Sequence, residues 1–506
     1  MKNKKILIIG MCALILFVSV AYAADLIIGK DVYYDNSSSL LKSKNVQDAL
    51  DELYSKASNL TSCSKGVAEP VLKDGLIPVK LSDDGTVTYA DTSKVWYNYC
   101  DKVWANAVIL NSGASYKVGD TIKESDIQSY FVWIPKYKYK LWNTGTASKN
   151  IHEIDIVFDT TNTTDISGVS CKTPMTSGSS GNCKNGEYMT HPAFISMGVN
   201  GFWAGKFETG YKGATSTTAT QVNSSDSSKI IVKPNSYSWR NSTVMNMFTV
   251  SYNYKRAMNS HMMKNTEWGA VAYLTYSVYG NCTSSSCEEV YPNNVNTGYL
   301  TETAKFTGQW EYGSTITGCS ASSTSASVSS NQSSCVAGYA WNGKNNKSST
   351  NGNISGIYDM SGGDYEYMMF AIMDSNGNPI SGQNSTRNSG FNGTFGCPTC
   401  NSDTSGLTSL TNGVAFPTDK RYYDLYTPNS TELNDGTWYV YTNSYLGDAM
   451  KEMSISKSNS SSGSKTLWFN DYAYYPTTMN PLIYRGGAYN SRDTSGITSF
   501  GWATGI

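Results

Sequence analysis

Two consecutive glycines, Gly362 and Gly363, lie between Gly356-Ile357-Tyr358-Asp359-Met360-Ser361 and Asp364-Tyr365-Glu366-Tyr367, and they constrain this chain more than any other feature. Paired glycines accept positive φ without steric cost. The stretch therefore reads as a short apolar strand (Ile357, Tyr358, Met360), a tight turn and a second strand of alternating aromatics. Alternation puts Tyr365 and Tyr367 on one face and Asp364 and Glu366 on the other. The aromatic face is expected in the core and the carboxylates in solvent, because rings gain from burial and lone carboxylates lose by it.

The rest of the chain shares this β- and loop-rich character. It holds 37 Tyr and 44 Gly but only 16% charged residues, a mixture typical of extracellular surfaces. A net charge of −1 leaves no basic excess to release counterions, so nucleic acid is not expected as a partner. Lys136, Lys138 and Lys140 alternate with Tyr137 and Tyr139, which reads as the solvated face of a strand.

Residues 1–23 carry Lys2, Lys4 and Lys5, the apolar run Ile6 to Val20, and then Ala21-Tyr22-Ala23. A positive start, an apolar centre and small residues at the cleavage positions predict a secretory signal cut before Ala24. An uncleaved anchor is the alternative, since the run nearly reaches the ~20 residues that span a bilayer. Membrane contact is expected through this segment alone. The protein is therefore expected to be secreted or at the cell surface, where thiols pair. Cys12 leaves with the signal. The remaining ten are expected as disulfide cysteines: Cys171 with Cys183, Cys282 with Cys287, Cys319 with Cys335, Cys397 with Cys400, and Cys63 with Cys100 by what is left, although spacing does not fix connectivity. Cys397-Pro398-Thr399-Cys400 has the form of a redox or zinc motif, but only His152, His191 and His261 could complete a zinc site, which favours the disulfide.

Residues 24–66 form a polar segment with a short amphipathic helix over Asn45 to Ala57, whose Val46, Leu50, Leu53, Ala57 and Leu60 suit a spacer or weak self-association and equally a helix docked on the next domain. Residues 67–128 read as a small β module: Leu76 to Leu81, an Asp84-Gly85 turn, Thr86 to Tyr89, Val95 to Tyr99 and Val103 to Leu110, with Trp96, Tyr97, Tyr99 and Trp104 as its core. A larger α+β domain is expected over 129–506. It opens on Phe131 to Tyr137, with Pro135 at a sheet edge, and contains helices at about Val244 to Tyr254 and Glu267 to Tyr279. The Ser/Thr tracts Ser314 to Cys335 and Ser454 to Lys465 read as surface loops.

Four stretches of this domain carry a family resemblance. Gly356 to Tyr367 resembles the "G-[LM]-x-D-M-x-G-N-V-W-E-W" segment of the formylglycine-generating-enzyme-like (sulfatase-modifying-factor) family. Phe202-Trp203-Ala204-Gly205-Lys206-Phe207-Glu208 resembles its "F-x-[IM]-x-K-Y-E-V" strand. Lys264 to Ala272 resembles its "L-P-T-E-A-E-W-E-Y-A-A" helix, and Tyr484-Arg485-Gly486-Gly487-Ala488-Tyr489 its "R-G-G-S-W" strand. The resemblance implies a C-type-lectin-like fold. It also exposes departures, because the family's oxidases hold copper with two cysteines shortly after that last strand, whereas no cysteine here follows Cys400. The motif's calcium-binding Asn is Gly363, leaving Glu366 as the one matching calcium candidate. Trp468-Phe469-Asn470-Asp471 looks loosely like the "W-N-D" motif of C-type lectins, interrupted by Phe469. The family's closing strand has no evident counterpart, since the chain stops at Thr498 to Ile506 in what reads as a Gly/Thr turn, and an uncovered sheet edge is expected there.

No phosphate loop, H-E-x-x-H or G-x-S-x-G pattern occurs. The expectation is a non-catalytic, ligand-binding surface protein, adhesin- or lectin-like, for an extracellular glycan or protein. Its cofactor is none, with calcium at Glu366 the exception to test. The ligand surface is expected at Tyr365, Tyr489, Asn490, Arg492, Asp493, Phe500 and Trp502, because Tyr-, Ser- and Asn-rich loops bind adaptably. An oxidase with a non-standard site and a structural subunit of a surface fibre are the alternatives.

Overall fold

The computed structural model describes residues 33, 44–58, 66–140, 154–160, 188–214, 225–240, 242, 244–283, 286–296, 315–327, 334–343, 346–372, 407–409, 415–417, 419–426, 447–450, 464–466, 468–469, 471–476 and 482–503. The segment before Ala24 and the cysteines Cys63, Cys171, Cys183, Cys397 and Cys400 lie outside these residues. The chain divides into two units, residues 1–62 with 91–95 and residues 63–90 with 96–506.

In the first unit, helix α1 (Val46–Ser58) begins as the sequence predicts. The Asn45 side chain accepts a hydrogen bond from the Asp48 amide at 2.8 Å, satisfying one of the donors a helix start leaves open. The buried side differs from the expected seam: Ala49 and Glu52 are buried, whereas Leu50 is exposed.

The second unit opens with β1 (Ile77–Leu81), β2 (Val87–Tyr89), β3 (Asn106–Leu110), β4 (Thr121–Ile122) and β5 (Ile127–Pro135). The strands β6 (Tyr137–Lys140), β7 (Asp155–Phe158), β8 (Met189–Thr190) and β9 (Gly201–Gly205) follow. Six of these form an antiparallel sheet in the order β4-β2-β1-β3-β5-β9. The Asp84-Gly85 turn closes the β1–β2 hairpin as expected. Strand β5 runs through the boundary expected between 128 and 129, so the anticipated β module shares one sheet with the strands after it. Pro135 is the last residue of this interior strand, not on a sheet edge, and its missing N–H costs little where the ladder ends. In place of a strand at Val95 to Tyr99 there is a 3-10 turn, Tyr99–Asp101, held by the Asn98 side chain accepting from the Cys100 amide. Trp96, Tyr99 and Trp104 join the main core with Trp133, Tyr137 and Trp268.

Strands β6, β7 and β8 pair as β7-β6-β8. Tyr137 and Tyr139 are buried as a strand alternation requires, but the lysine face is not simply solvated. Lys138 pairs with Asp159 and Lys140 with Asp155, each at 3.1 Å, and Lys136 is buried. Helix α2 (Pro192–Met197) precedes β9. Helix α3 (Val244–Tyr254) lies where expected, and helix α4 (Asn265–Thr275) starts two residues before Glu267 and ends short of Tyr279. Every residue of α4 is buried, which the apolar stripe Trp268, Val271, Ala272 and Tyr273 anticipates and a solvent face does not. A short pair, β10 (Gly210–Tyr211) and β11 (Ile230–Ile231), lies between β9 and α3 in sequence.

The C-terminal strands are β12 (Glu366–Tyr367), β13 (Phe370–Ile372), β14 (Leu407–Ser409), β15 (Ala415–Pro417) and β16 (Asp424–Tyr426), then β17 (Ser464–Lys465), β18 (Tyr472–Ala473), β19 (Leu482–Gly486) and β20 (Gly496–Ala503). Five make a mixed sheet in the order β12-β19-β20-β18-β17, while β13 pairs with β16 and β14 with β15. The absence of a closing strand is therefore corrected: β20 is an eight-residue interior strand. Ile497 and Phe500 draw it into the core, the Trp268 indole donates to the Ile497 carbonyl at 2.7 Å, and the Asp471 carboxylate accepts from the Thr498 amide and hydroxyl. The Ser/Thr tract at 315–321 is likewise a correction, because Thr315, Ile316, Thr317, Cys319, Ser320 and Ala321 are buried, their hydroxyls satisfied within the protein. Helices and mixed sheets together make the chain α+β.

Two expected disulfides are present, Cys282–Cys287 and Cys319–Cys335, and Cys100 is also disulfide-bonded. They suit an oxidising environment. No helix among the described residues is long and apolar enough to cross a membrane.

Candidate ligand-binding surface

The four stretches singled out in the sequence meet in space. Lys206, just after β9, is fully buried and donates through Nζ to the carbonyls of Ile354 and Gly356, while its own carbonyl accepts from the Tyr358 amide. Burial drives its ammonium well below the ordinary lysine range. Arg485 of β19 is buried beneath α4, donating to Asn265 Oδ1 at 2.8 Å, to Ala449 O at 3.2 Å and to Asp448 O, with its guanidinium 5.3 Å from the Phe500 ring centroid. The Gly362 amide donates to the Gly486 carbonyl at 3.0 Å. Gly362 and Gly363 both have positive φ, and a Cβ on Gly362 would lie 2.4 Å from the Asn293 carbonyl oxygen, so the turn requires glycine twice over.

Around this turn the carboxylates are held inward, opposite to the expectation. Glu208 is buried, accepting from the Ser238 hydroxyl at 2.5 Å, the Thr315 hydroxyl at 3.2 Å and the Asp364 amide at 3.0 Å. Asp359 accepts from Asn293 Nδ2 and the Gly318 amide, each at 2.9 Å. Asp364 faces Arg240 at 3.7 Å, and Glu366 sits opposite Arg485 in the sheet register. Burial pushes Asp359 up to about 6, and burial with the charge of Asp359 pushes Glu366 up to about 8. Burial, then Asp364, Glu366 and Asp359 in turn, raise Glu208 well above the ordinary carboxylate range. Glu208 and Asp359 hold the turn by hydrogen bonds, and Glu366 keeps its proton at neutral pH. Among the described residues no three His, Cys, Asp or Glu side chains converge as a metal-ligand set, Glu366 included.

With the carboxylates inward, the tyrosines face out. Tyr365 is 47% exposed, the most exposed tyrosine among the described residues of its unit. Its ring centroid lies 4.1 Å from that of Tyr484 at a 46° tilt. Tyr484 leans across Gly501, its partner in β20: a Cβ there would come within 2.3 Å of the Tyr484 hydroxyl. Tyr367 pairs with Tyr484 from the other side and shares the face of Tyr365. Beyond Gly501, Tyr472 and Tyr474 flank the inward Ala473, with near-parallel rings 5.9 Å apart. Burial, followed by the Tyr474 and Tyr365 hydroxyls, pushes Tyr472 up to about 12. Leu482, Tyr367 and Tyr484 border a second apolar cluster with Phe248 and Tyr422, which braces one side of the surface.

The sequence-predicted site residues divide accordingly. Tyr365 is on this surface. Tyr489 and Phe500 are core residues, the Tyr489 amide donating to Gly363 O at 2.7 Å, so neither presents a ring to a ligand. Asn490 is half-buried, Arg492 and Asp493 are exposed on a 3-10 turn, and Trp502 pairs through its backbone with Ile483. Asp471 of the lectin-like tetrapeptide is buried against Thr498. Tyr367, Tyr472, Tyr474, Tyr484 and Gly501 were missed, although the alternation Tyr472-Ala473-Tyr474 carried a signal for a strand with one aromatic face. Of the histidines, His191 is a buried cap of α2 whose ring burial holds near 3, and His261 pairs with Glu267 at 2.9 Å. The chain matches no protein-family model and no curated protein.

Proposed function

We propose that the chain is an exported, non-catalytic ligand-binding protein of the cell surface, with a C-type-lectin-like domain of the formylglycine-generating-enzyme-like type. The observation that carries the reading is the three-layer stack of Gly501, Tyr484 and exposed Tyr365, an aromatic surface built up from the sheet and not left over from its packing. Its support for a family membership is the meeting of Lys206, Arg485, the α4 helix and the double-glycine turn in one buried network. Lack of any cysteine after Cys400 speaks against the family's copper chemistry. The disulfides agree with export.

The test is an array of glycans and extracellular proteins probed with the secreted chain and with Tyr365→Ala. A ligand bound by the first and lost by the second is expected. Equal binding by both chains would place the ligand surface elsewhere.

A further inference from the structure

We infer that the ligand of the tyrosine surface is a neutral oligosaccharide, held by ring stacking and phenol hydrogen bonds without calcium; this rests on the reading of the chain as a ligand-binding protein. Pyranose rings combine apolar C–H faces with hydroxyl edges, and the surface offers the complement of both. Tyr365 presents an exposed ring, supported from beneath by Tyr484, while Tyr472 and Tyr474 add two more partly exposed rings across Gly501. Each phenol can donate or accept a hydrogen bond. Aromatic area of this kind costs little conformational entropy to present.

Charge and size select the class. The described side chains that share this face (Tyr365, Tyr367, Leu482, Tyr484, Tyr472 and Tyr474) carry no charge, because Asp364 and Glu366 point to the other side of β12 toward Arg240 and Asp359. None of these six offers a counter-ion to an acidic or basic ligand, and the one charged residue paired in register with them among the described strands is Lys465 of β17, opposite Tyr472. A stable protein interface needs about 800 Å² per partner, some 20–30 residues. One exposed tyrosine with a few half-buried neighbours falls far short of that, whereas two or three sugar rings are matched by it. Calcium is not required, since Glu366 does not reach this face and Asp471 is buried against Thr498.

The experiment is saturation-transfer NMR and calorimetry on the whole secreted chain with glucose, N-acetylglucosamine and mannose tetrasaccharides, a sialylated glycan and a proline-rich peptide, each in calcium and in EDTA. At least one neutral tetrasaccharide should bind equally in both buffers and more tightly than the sialylated glycan. Tyr365→Ala should weaken it about tenfold and Tyr365→Phe much less, with both variants unfolding at the temperature of the parent chain. No binding of any neutral tetrasaccharide, or binding indifferent to Tyr365, overturns the inference. If a protein or the peptide binds in a Tyr365-dependent way and no sugar does, the glycan class is wrong and the ligand-binding reading stands. If nothing binds the chain at all, both fall.

Discussion

At the scale of single residues, Glu366 and Tyr365 are neighbours with opposite fates, and each supports a measurement. Glu366 titrates at about 8 when folded against an ordinary 4.5, so the folded state binds the extra proton. Its contribution to stability is therefore complete below about pH 4.5 and lost as the pH rises through about 8. Asp359, at about 6, adds the same sign. Glu366→Gln should remove part of this slope: relative to the parent chain, the variant's Tm should gain roughly a few degrees between pH 5 and pH 8, read by calorimetry. A parallel pH profile would show that Glu366 is ionised and solvated. Tyr365→Ala should change stability by no more than about 0.5 kcal/mol, as an exposed ring predicts. Arg485→Leu should cost about 3–5 kcal/mol, since it leaves Asn265, Ala449 and Asp448 acceptors unpaired in the core. Alternation alone told us that Tyr365 and Glu366 face opposite ways. It did not tell which way was in, because the groups that meet the Asp364 carboxylate on the inner side, Arg240 and Thr315, and those that hold the neighbouring Glu208 and Asp359, Ser238, Asn293 and Gly318, are all distant in sequence.

At the scale of elements, helices α1, α3 and α4 and the β1–β2 hairpin were legible because their signals are local, among them the Asn45 cap, the Asp84-Gly85 turn and the apolar stripe of α4, whereas the six-residue α2 was not read from the sequence. Strand β20 was not. Its Gly and Thr residues disguise a strand whose pairing is specified by β19, β18 and the Trp268 indole, and by nothing within eight residues of it. Hydrogen exchange should find amides of Ile483 to Arg485 and Phe500 to Trp502 among the slowest of the chain; fast exchange there would restore the picture of an uncovered edge. Gly501→Ala should cost about 1 kcal/mol, because the Tyr484 ring must lift from β20. Its larger effect should be on ligand binding, which should fall as it does in Tyr365→Ala.

At the scale of the whole molecule, residues far apart in sequence build one buried polar network, and this is what sequence order alone concealed. The Ser/Thr tract at 315–321 looked too polar to pack, yet it supplies hydroxyls and amides to Glu208 and Asp359 and is tied by Cys319–Cys335. Replacing both cysteines with serine should cost about 2–4 kcal/mol and loosen the carboxylates it serves. The placement of the tyrosine surface opposite that network is the central claim. Limited iodination of the folded chain with peptide mapping tests it most directly: among the described tyrosines of its unit Tyr365 should be labelled first, Tyr489 and Tyr99 should be spared, and saturating ligand should protect Tyr365. Labelling of Tyr489 as fast as Tyr365, or a Tyr365 signal unchanged by bound ligand, would contradict the account.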